Sequence, residues 1–240
     1  MKCLAVICYF SFCNETMQPI RLALLGKTGH GKTSTGNTIL RKQVFKQWIH
    51  QNNGTELVVM HSEDIESVRV KVYDTPGVMR TEFSEKDGAK MTLMDMDYLM
   101  SAANGMDVFI LVYSWSARFT HEESQVIVVL ERIFGKQFLQ KHGMIVITHG
   151  DDFVTHHPNS TNLKGDFELW CQNHTRGFKD LVSKVNNRIL LVNNIEPLTE
   201  GSSRMESSKA ILAMARNLIA TNGSYSKTEY DNQKRWCTVL

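Results

Sequence analysis

Residues 26–33 read GKTGHGKT, a full match to the phosphate-binding pattern G-x-x-x-x-G-K-[ST]. No other stretch constrains the fold as tightly, because the pattern works in one context only. A buried strand must deliver the chain into the loop, and a helix must start at the lysine. Both flanks comply. IRLALLG (20–26) is an apolar run ending in glycine, and KTSTGNTIL (32–40) continues as a helix. Gly26, Lys27, Thr28, Gly29, His30 and Gly31 would then wrap backbone N–H groups around a phosphate. Lys32 supplies a point charge to the β and γ phosphates, and the Thr33 hydroxyl suits Mg2+. Ser34 opens the helix whose positive end aims at the same place.

Further along, apolar runs and helical patterns alternate. SVRVKVYD (67–74), MDVFILVYS (106–114), GMIVITHGD (143–151) and NRILLVNN (187–194) read as strands. Segments 86–103, 120–138, 163–173 and 203–220 read as helices, the second with Thr120 and Glu123 placed as a capping box. The alternation predicts a mostly parallel sheet covered on both faces, with ligands at the carboxyl ends of its strands. The chemistry should therefore lie just after each strand.

After the second clear strand comes DTPGVMR (74–80). Asp74 suits the magnesium side, and the Gly77 N–H would meet a γ-phosphate. In Ras-like switch proteins the next residue is a glutamine that orients the attacking water; here it is Val78. After the strand at 143 comes THGD, Thr148 to Asp151, in place of the usual N-K-x-D. A carboxylate at Asp151 can accept from guanine N1–H and N2–H, which discriminates against adenine. His149 could stack beside the base, and Asn193 and Asn194 end the last strand where guanine O6 would lie. A metal site in HGDDFVTHH (149–157) is the competing reading of this loop, though its ligand spacing is irregular.

Taken together, these residues resemble the immunity-associated GTPases, the GIMAP family, which groups with Toc-like and septin-like P-loop GTPases. That family carries GKTGxGKS followed by ATGNSIL, matched by GKTGHGKTSTGNTIL (26–40). It carries DTPG, matched at 74–77, and a T-x-x-D motif, matched at 148–151. It also carries a GRFTEEE-like box after an apolar strand, matched by SARFTHEE (116–123). The resemblance implies a Ras-like G domain, an α/β P-loop NTPase with a mostly parallel six-stranded sheet and helices on both faces. It implies GTP or GDP with Mg2+ as ligands and a GTP-dependent homodimer across the nucleotide face, while Val78, which can position nothing, makes an isolated monomer slow to hydrolyse. Thr55 in NNGTELVV would be the switch I threonine and a third magnesium group beside Thr33 and Asp74. Arg118 matches the arginine of the box, and a guanidinium inserted into a partner's site would supply what Val78 cannot. The alternative is an arginine that is solvated or paired with Glu122 or Glu123. A nucleotide-binding module with negligible turnover, and a P-loop kinase using ATP, are the rival functions.

The remaining features bound the setting. A net charge of +2 gives no reason to expect nucleic acid, and the five cysteines show no metal or disulfide spacing. No apolar run approaches the ~18 residues of a membrane span. Residues 1–18 form an apolar extension, 19–221 the G domain, and 222–240 a polar, flexible tail. The extension, MKCLAVICYFSFCNE, resembles a signal-peptide core, an extra docked segment, or a site of thioacylation at Cys3, Cys8 or Cys13. A nucleotide-dependent protein favours the cytoplasm over secretion. The terminal Cys237-Thr238-Val239-Leu240 fits C-a-a-X, so prenylation of Cys237 would add attachment to the cytosolic face of a membrane.

Overall fold

A computed structural model describes residues 18–46, 58–78 and 84–235. The N-terminal extension, Thr55 and Cys237 lie outside these residues. In chain order the elements are β1 (Ile20–Leu25), α1 (Lys32–Ile39), β2 (Val59–Ile65), β3 (Val68–Asp74), α2 (Glu85–Ala103), β4 (Val108–Ser114), α3 (His121–Phe134), α4 (Phe138–His142), β5 (Gly143–Thr148), α5 (Gly150–His156), α6 (Leu163–Asn173), α7 (Arg176–Lys184), β6 (Ile189–Leu191), α8 (Ser203–Asn222) and α9 (Lys227–Arg235). The sheet order is β2-β3-β1-β4-β5-β6, with only β2 antiparallel to its neighbour. From β1 the chain winds first toward β3 and then toward β4. The loop after β1 therefore sits at the point where the strand order reverses, which is where such sheets bind ligands.

The strand residues alternate between two cores. Ala23, Leu25, Phe109, Leu111, Tyr113, Ile145 and Ile147 face α2, α3, α5, α6, α7 and α9. Leu22, Leu24, Val70, Val72, Ile110, Val112 and Val146 face the opposite way, toward α1 and α8. Every residue of β4 and β5 is buried, as expected for central strands covered on both sides.

Three expectations change. The helix expected over 120–138 stops at Phe134, because Gly135 takes φ 91° and α4 begins only at Phe138. The strands expected over 143–151 and 187–194 are shorter, ending at Thr148 and covering Ile189–Leu191. The tail expected to be flexible from 221 is ordered through Arg235. Tyr225 bridges Met106 by backbone hydrogen bonds, and its hydroxyl donates to the Phe134 carbonyl at 2.9 Å. Tyr230 is 1% exposed and donates to Asp97 Oδ1 at 2.5 Å, while Lys234 pairs with the other Asp97 oxygen at 2.6 Å. Arg21, Asp107 and Ser224 add a partly buried polar tie between β1, the start of β4 and this segment. The two tyrosines bury large rings and still satisfy their hydroxyls, and this anchors an otherwise polar helix. No helix of the described residues is long and apolar enough to cross a membrane.

Candidate functional site

The loop after β1 is shaped by close backbone approaches. A Cβ on Gly26 would stand 2.4 Å from the Val112 carbonyl oxygen, so only glycine lets β1 leave the sheet beside β4. Lys32 Nζ, at the start of α1, donates to the Lys27 carbonyl at 3.0 Å and so lies across the loop it closes. Thr28 is exposed on the outer turn, and Ser34 is half-buried in the first turn of α1.

The segment after β3 lies directly on this loop. The Val78 N–H donates to the Gly26 carbonyl at 3.2 Å, and the Thr75 hydroxyl donates to the Leu24 carbonyl at 2.6 Å. A Cβ on Gly77 would come within 2.2 Å of Thr28 Oγ1, so the two motifs touch where the glycine permits. Thr33 Oγ1 donates to Asp74 Oδ2 at 2.7 Å. Two residues 41 apart in sequence thus place hard oxygen donors side by side, the ligand type that magnesium takes. Val78 is 2% exposed and belongs to the core on the side of the sheet that α2 and α3 cover, so its side chain brings no polar group to the loop after β1.

Thr148 joins the base side to the phosphate side. Its hydroxyl donates to the His30 carbonyl at 3.0 Å, and the residue is 1% exposed. His149 takes φ 64°, and its Nδ1 lies 3.0 Å from both Ser114 Oγ and Thr148 Oγ1, which fixes one edge of the ring. Gly150 N–H donates to the Val192 carbonyl at 2.9 Å, holding the turn against β6. At Asp151, Oδ1 is buried and has no hydrogen-bond partner among the described residues. Such an orphan acceptor costs free energy unless a ligand supplies a donor. The His30 ring is buried beside Tyr113, and burial pushes its pKa below the ordinary histidine value.

Asn193 and Asn194 do not face this acceptor with free amides. Asn193 Oδ1 accepts from the N–H groups of Ile195 and Glu196, and its Nδ2 donates to Glu196 Oε1. Asn194 Oδ1 accepts from the Thr38 hydroxyl, and its Nδ2 donates to Thr35 Oγ1. Their side chains brace the loop after β6 and fasten it to α1. Ile195, 70% exposed, is what this loop turns outward. The histidines of the competing metal reading are also engaged. His156 Nδ1 meets the Asp152 carbonyl, and His157 stacks on Phe153.

Arg118 lies on the turn between β4 and α3, exposed, with no ion pair among the described residues. The acids that could have held it are occupied: Lys27 Nζ lies 2.5 Å from Glu122 Oε2 and 3.0 Å from Glu123 Oε1. Burial opposes the Lys27 charge, but the bonds to Glu122 and Glu123 outweigh it and raise its pKa. Sequence reading missed this contact, since its partners lie about a hundred residues apart and each has a sufficient local role. A separate apolar groove of about 740 Å³ between α6, α7 and β6 includes none of the phosphate or base residues.

Comparison with known proteins gives the site its relatives. A model of the AIG1 family matches residues 20–237. GTPase IMAP family member 8 of Mus musculus is 28% identical over 210 residues, covering 87% of this chain and 28% of that protein. Immune-associated nucleotide-binding protein 13 of Arabidopsis thaliana is 33% identical over 132 residues, covering 54% of this chain and 38% of that protein. This chain therefore spans well under half the length of these curated relatives. Among solved structures, Toc33 from Arabidopsis thaliana in complex with GDP and Mg2+ superposes with a TM-score of 0.56 at 21% identity, covering 88% of each chain.

Proposed function

The chain belongs to the AIG1 family, and on that premise we propose that it is a guanine-nucleotide-binding GTPase that dimerises when loaded with GTP. The observation that carries the reading is the orphan Oδ1 of Asp151, held at the end of β5 by a turn that Thr148 fastens to the phosphate loop. Guanine offers two adjacent donors to such an acceptor, and adenine does not, which weighs against an ATP-using kinase. The curated relatives named above are a GTPase and a nucleotide-binding protein, and Toc33 was solved with GDP and Mg2+.

In this reading the loop N–H groups and Lys32 hold the phosphates. Thr33 and Asp74 would hold magnesium, which when bound neutralises phosphate charge. Thr55, outside the described residues, would complete that set. Hydrolysis transfers the γ-phosphoryl group to water, leaving GDP and inorganic phosphate. Val78 is buried and orients no water, so turnover by one molecule is slow. Arg118, exposed and with no ion pair among the described residues, would reach the phosphates of a facing copy, where such a guanidinium adds roughly 10³–10⁵ in rate. The solved chloroplast translocon GTPases atToc33 and psToc159 are described by the importance of dimerisation for their activity.

Sedimentation of the protein with GDP and with a non-hydrolysable GTP analogue tests the assembly step. A dimer with the analogue and a monomer with GDP is expected; the same mass in both states would overturn it. Competition of GTP and ATP against a fluorescent guanine nucleotide tests the base site, and equal displacement by ATP would overturn that. A second reading, a GTP-binding module with negligible turnover, draws on the buried Val78 alone. Cytoplasmic location with prenylation of Cys237 at a membrane belongs to the same proposal, and intact mass after expression in a eukaryotic cell decides it.

A further inference from the structure

The Lys27 contact forms one link of a continuous chain. Lys32 Nζ bonds the Lys27 carbonyl, and Lys27 Nζ bonds Glu123 Oε1 at 3.0 Å. The other oxygen of Glu123 accepts from the Thr120 N–H at 2.8 Å and from the Thr120 hydroxyl. Thr120 follows Arg118 by two residues. Between them Phe119 is 8% exposed, wedged against Tyr113 and Phe178 at ring distances of 5.6 and 5.7 Å. On the other side, Ala117 N–H closes a turn on the Ser114 carbonyl. Arg118 therefore projects from a segment fixed on both flanks. One of those anchors runs through a buried carboxylate to the residue that carries the loop's second position.

Glu123 has more contacts than a capping box requires. Its side chain is 5% exposed, and a cap needs only its bond to Thr120. The additional ion pair costs desolvation that a glutamine would avoid. Burial works against the Glu123 charge, and the bonds from Thr120 and Lys27 overcome it, so its carboxyl titrates below the ordinary value.

We propose that Lys27 and Glu123 are positioning residues that carry the state of the phosphate loop to Arg118, setting where the arginine stands when a second copy arrives. The proposal rests on the GTPase reading above. When phosphate occupies the loop, Lys32 turns from the Lys27 carbonyl to the ligand, and the Lys27–Glu123 pair holds α3 and the Arg118 turn in register with it. A reach across an interface is sensitive to small displacements, so loss of the pair lowers turnover and leaves nucleotide affinity nearly intact.

Glu123→Gln separates these effects, because glutamine still completes a capping box but carries no charge for Lys27, which then keeps only its contact to the exposed Glu122, a weak solvent-screened pair. At protein concentrations that favour the dimer, kcat should fall about tenfold while nucleotide affinity changes less than about twofold, as expected for directly coupled side chains. In the Arg118→Ala background the same substitution should cost nothing further. Lys27→Gln breaks the pair from the other end and should show the same dependence on Arg118 in kcat. Should Glu123→Gln fold poorly, seen as a lowered melting temperature, that second variant decides. Equal losses with and without Arg118, or no loss at all, overturn the coupling and leave the GTPase reading standing. No effect of Arg118→Ala by itself overturns the arginine's role and the coupling with it.

Discussion

Replacing Asp151 by asparagine tests the base site at its narrowest point. The carboxylate holds a buried oxygen without a partner among the described residues. Guanine would bring N1–H and N2–H to it, and each hydrogen bond to a charged acceptor contributes about 1.5–3 kcal/mol. Two such bonds give about 3–6 kcal/mol, or roughly a 10²–10⁴-fold loss of GDP affinity when they go. Asparagine can accept one bond, but its NH2 group then meets a donor. Xanthine carries a carbonyl where guanine carries the amino group, so the same NH2 can donate to it. Asp151→Asn should therefore weaken GDP and strengthen XDP, measured by titration with fluorescent analogues of both. GDP affinity within about threefold of the parent, with no gain for XDP, would refute the assignment, since even one lost charged bond exceeds that.

Three further outcomes follow from single contacts. Thr33→Ala should abolish the tightening of nucleotide binding by magnesium while Thr33→Ser retains it, read from affinities with and without the ion; equal behaviour of the two variants contradicts the oxygen pair with Asp74. Tyr230→Ala should cost about 3–5 kcal/mol and lower the melting temperature on the order of 10 °C, whereas Tyr230→Phe, losing only the bond to Asp97, should cost about 1–3 kcal/mol. A negligible loss in both would mean that α9 does not pack as described. Burial depresses the pKa of His30, His142 and His174 below 6.5. The unfolded chain then binds more protons near pH 6, so their stability contribution is full above 6.5 and is lost as pH falls through the folded values. Denaturant midpoints should drop between pH 7.5 and 5.5, before the carboxylates Glu66, Glu123 and Glu229, depressed below 4.5, begin to contribute. A flat profile across that window contradicts the burial of those rings.

The sequence made the phosphate loop and the central strands legible for the same reason. β4 and β5 are buried throughout and β1 nearly so, each reading as a mostly apolar run, and the loop between β1 and α1 has its chemistry written at fixed spacing. β2 was not legible, because VMHSEDI is an edge strand with one wet face and a mixed pattern. α9 was hidden by its polar composition, since Tyr230 is the one buried side chain among those described in it, and its docking depends on that hydroxyl's partner in α2 and on Tyr225, just before the helix, whose hydroxyl meets α3. The contacts of Asn193 and Asn194 were not legible, because sequence shows which groups a side chain carries, not which neighbours use them. Lys27 and Glu123 escaped notice because a phosphate-loop lysine and a capping glutamate each look complete alone.

The central claim is that this chain builds a guanine-nucleotide site whose hydrolysis needs a second copy. The direct measurement is GTP turnover per molecule across a series of protein concentrations, for the parent and for Arg118→Ala. Turnover per molecule should rise with concentration in the parent and stay at its dilute value in the variant. A rate per molecule that is independent of concentration and unchanged by the substitution would contradict the account.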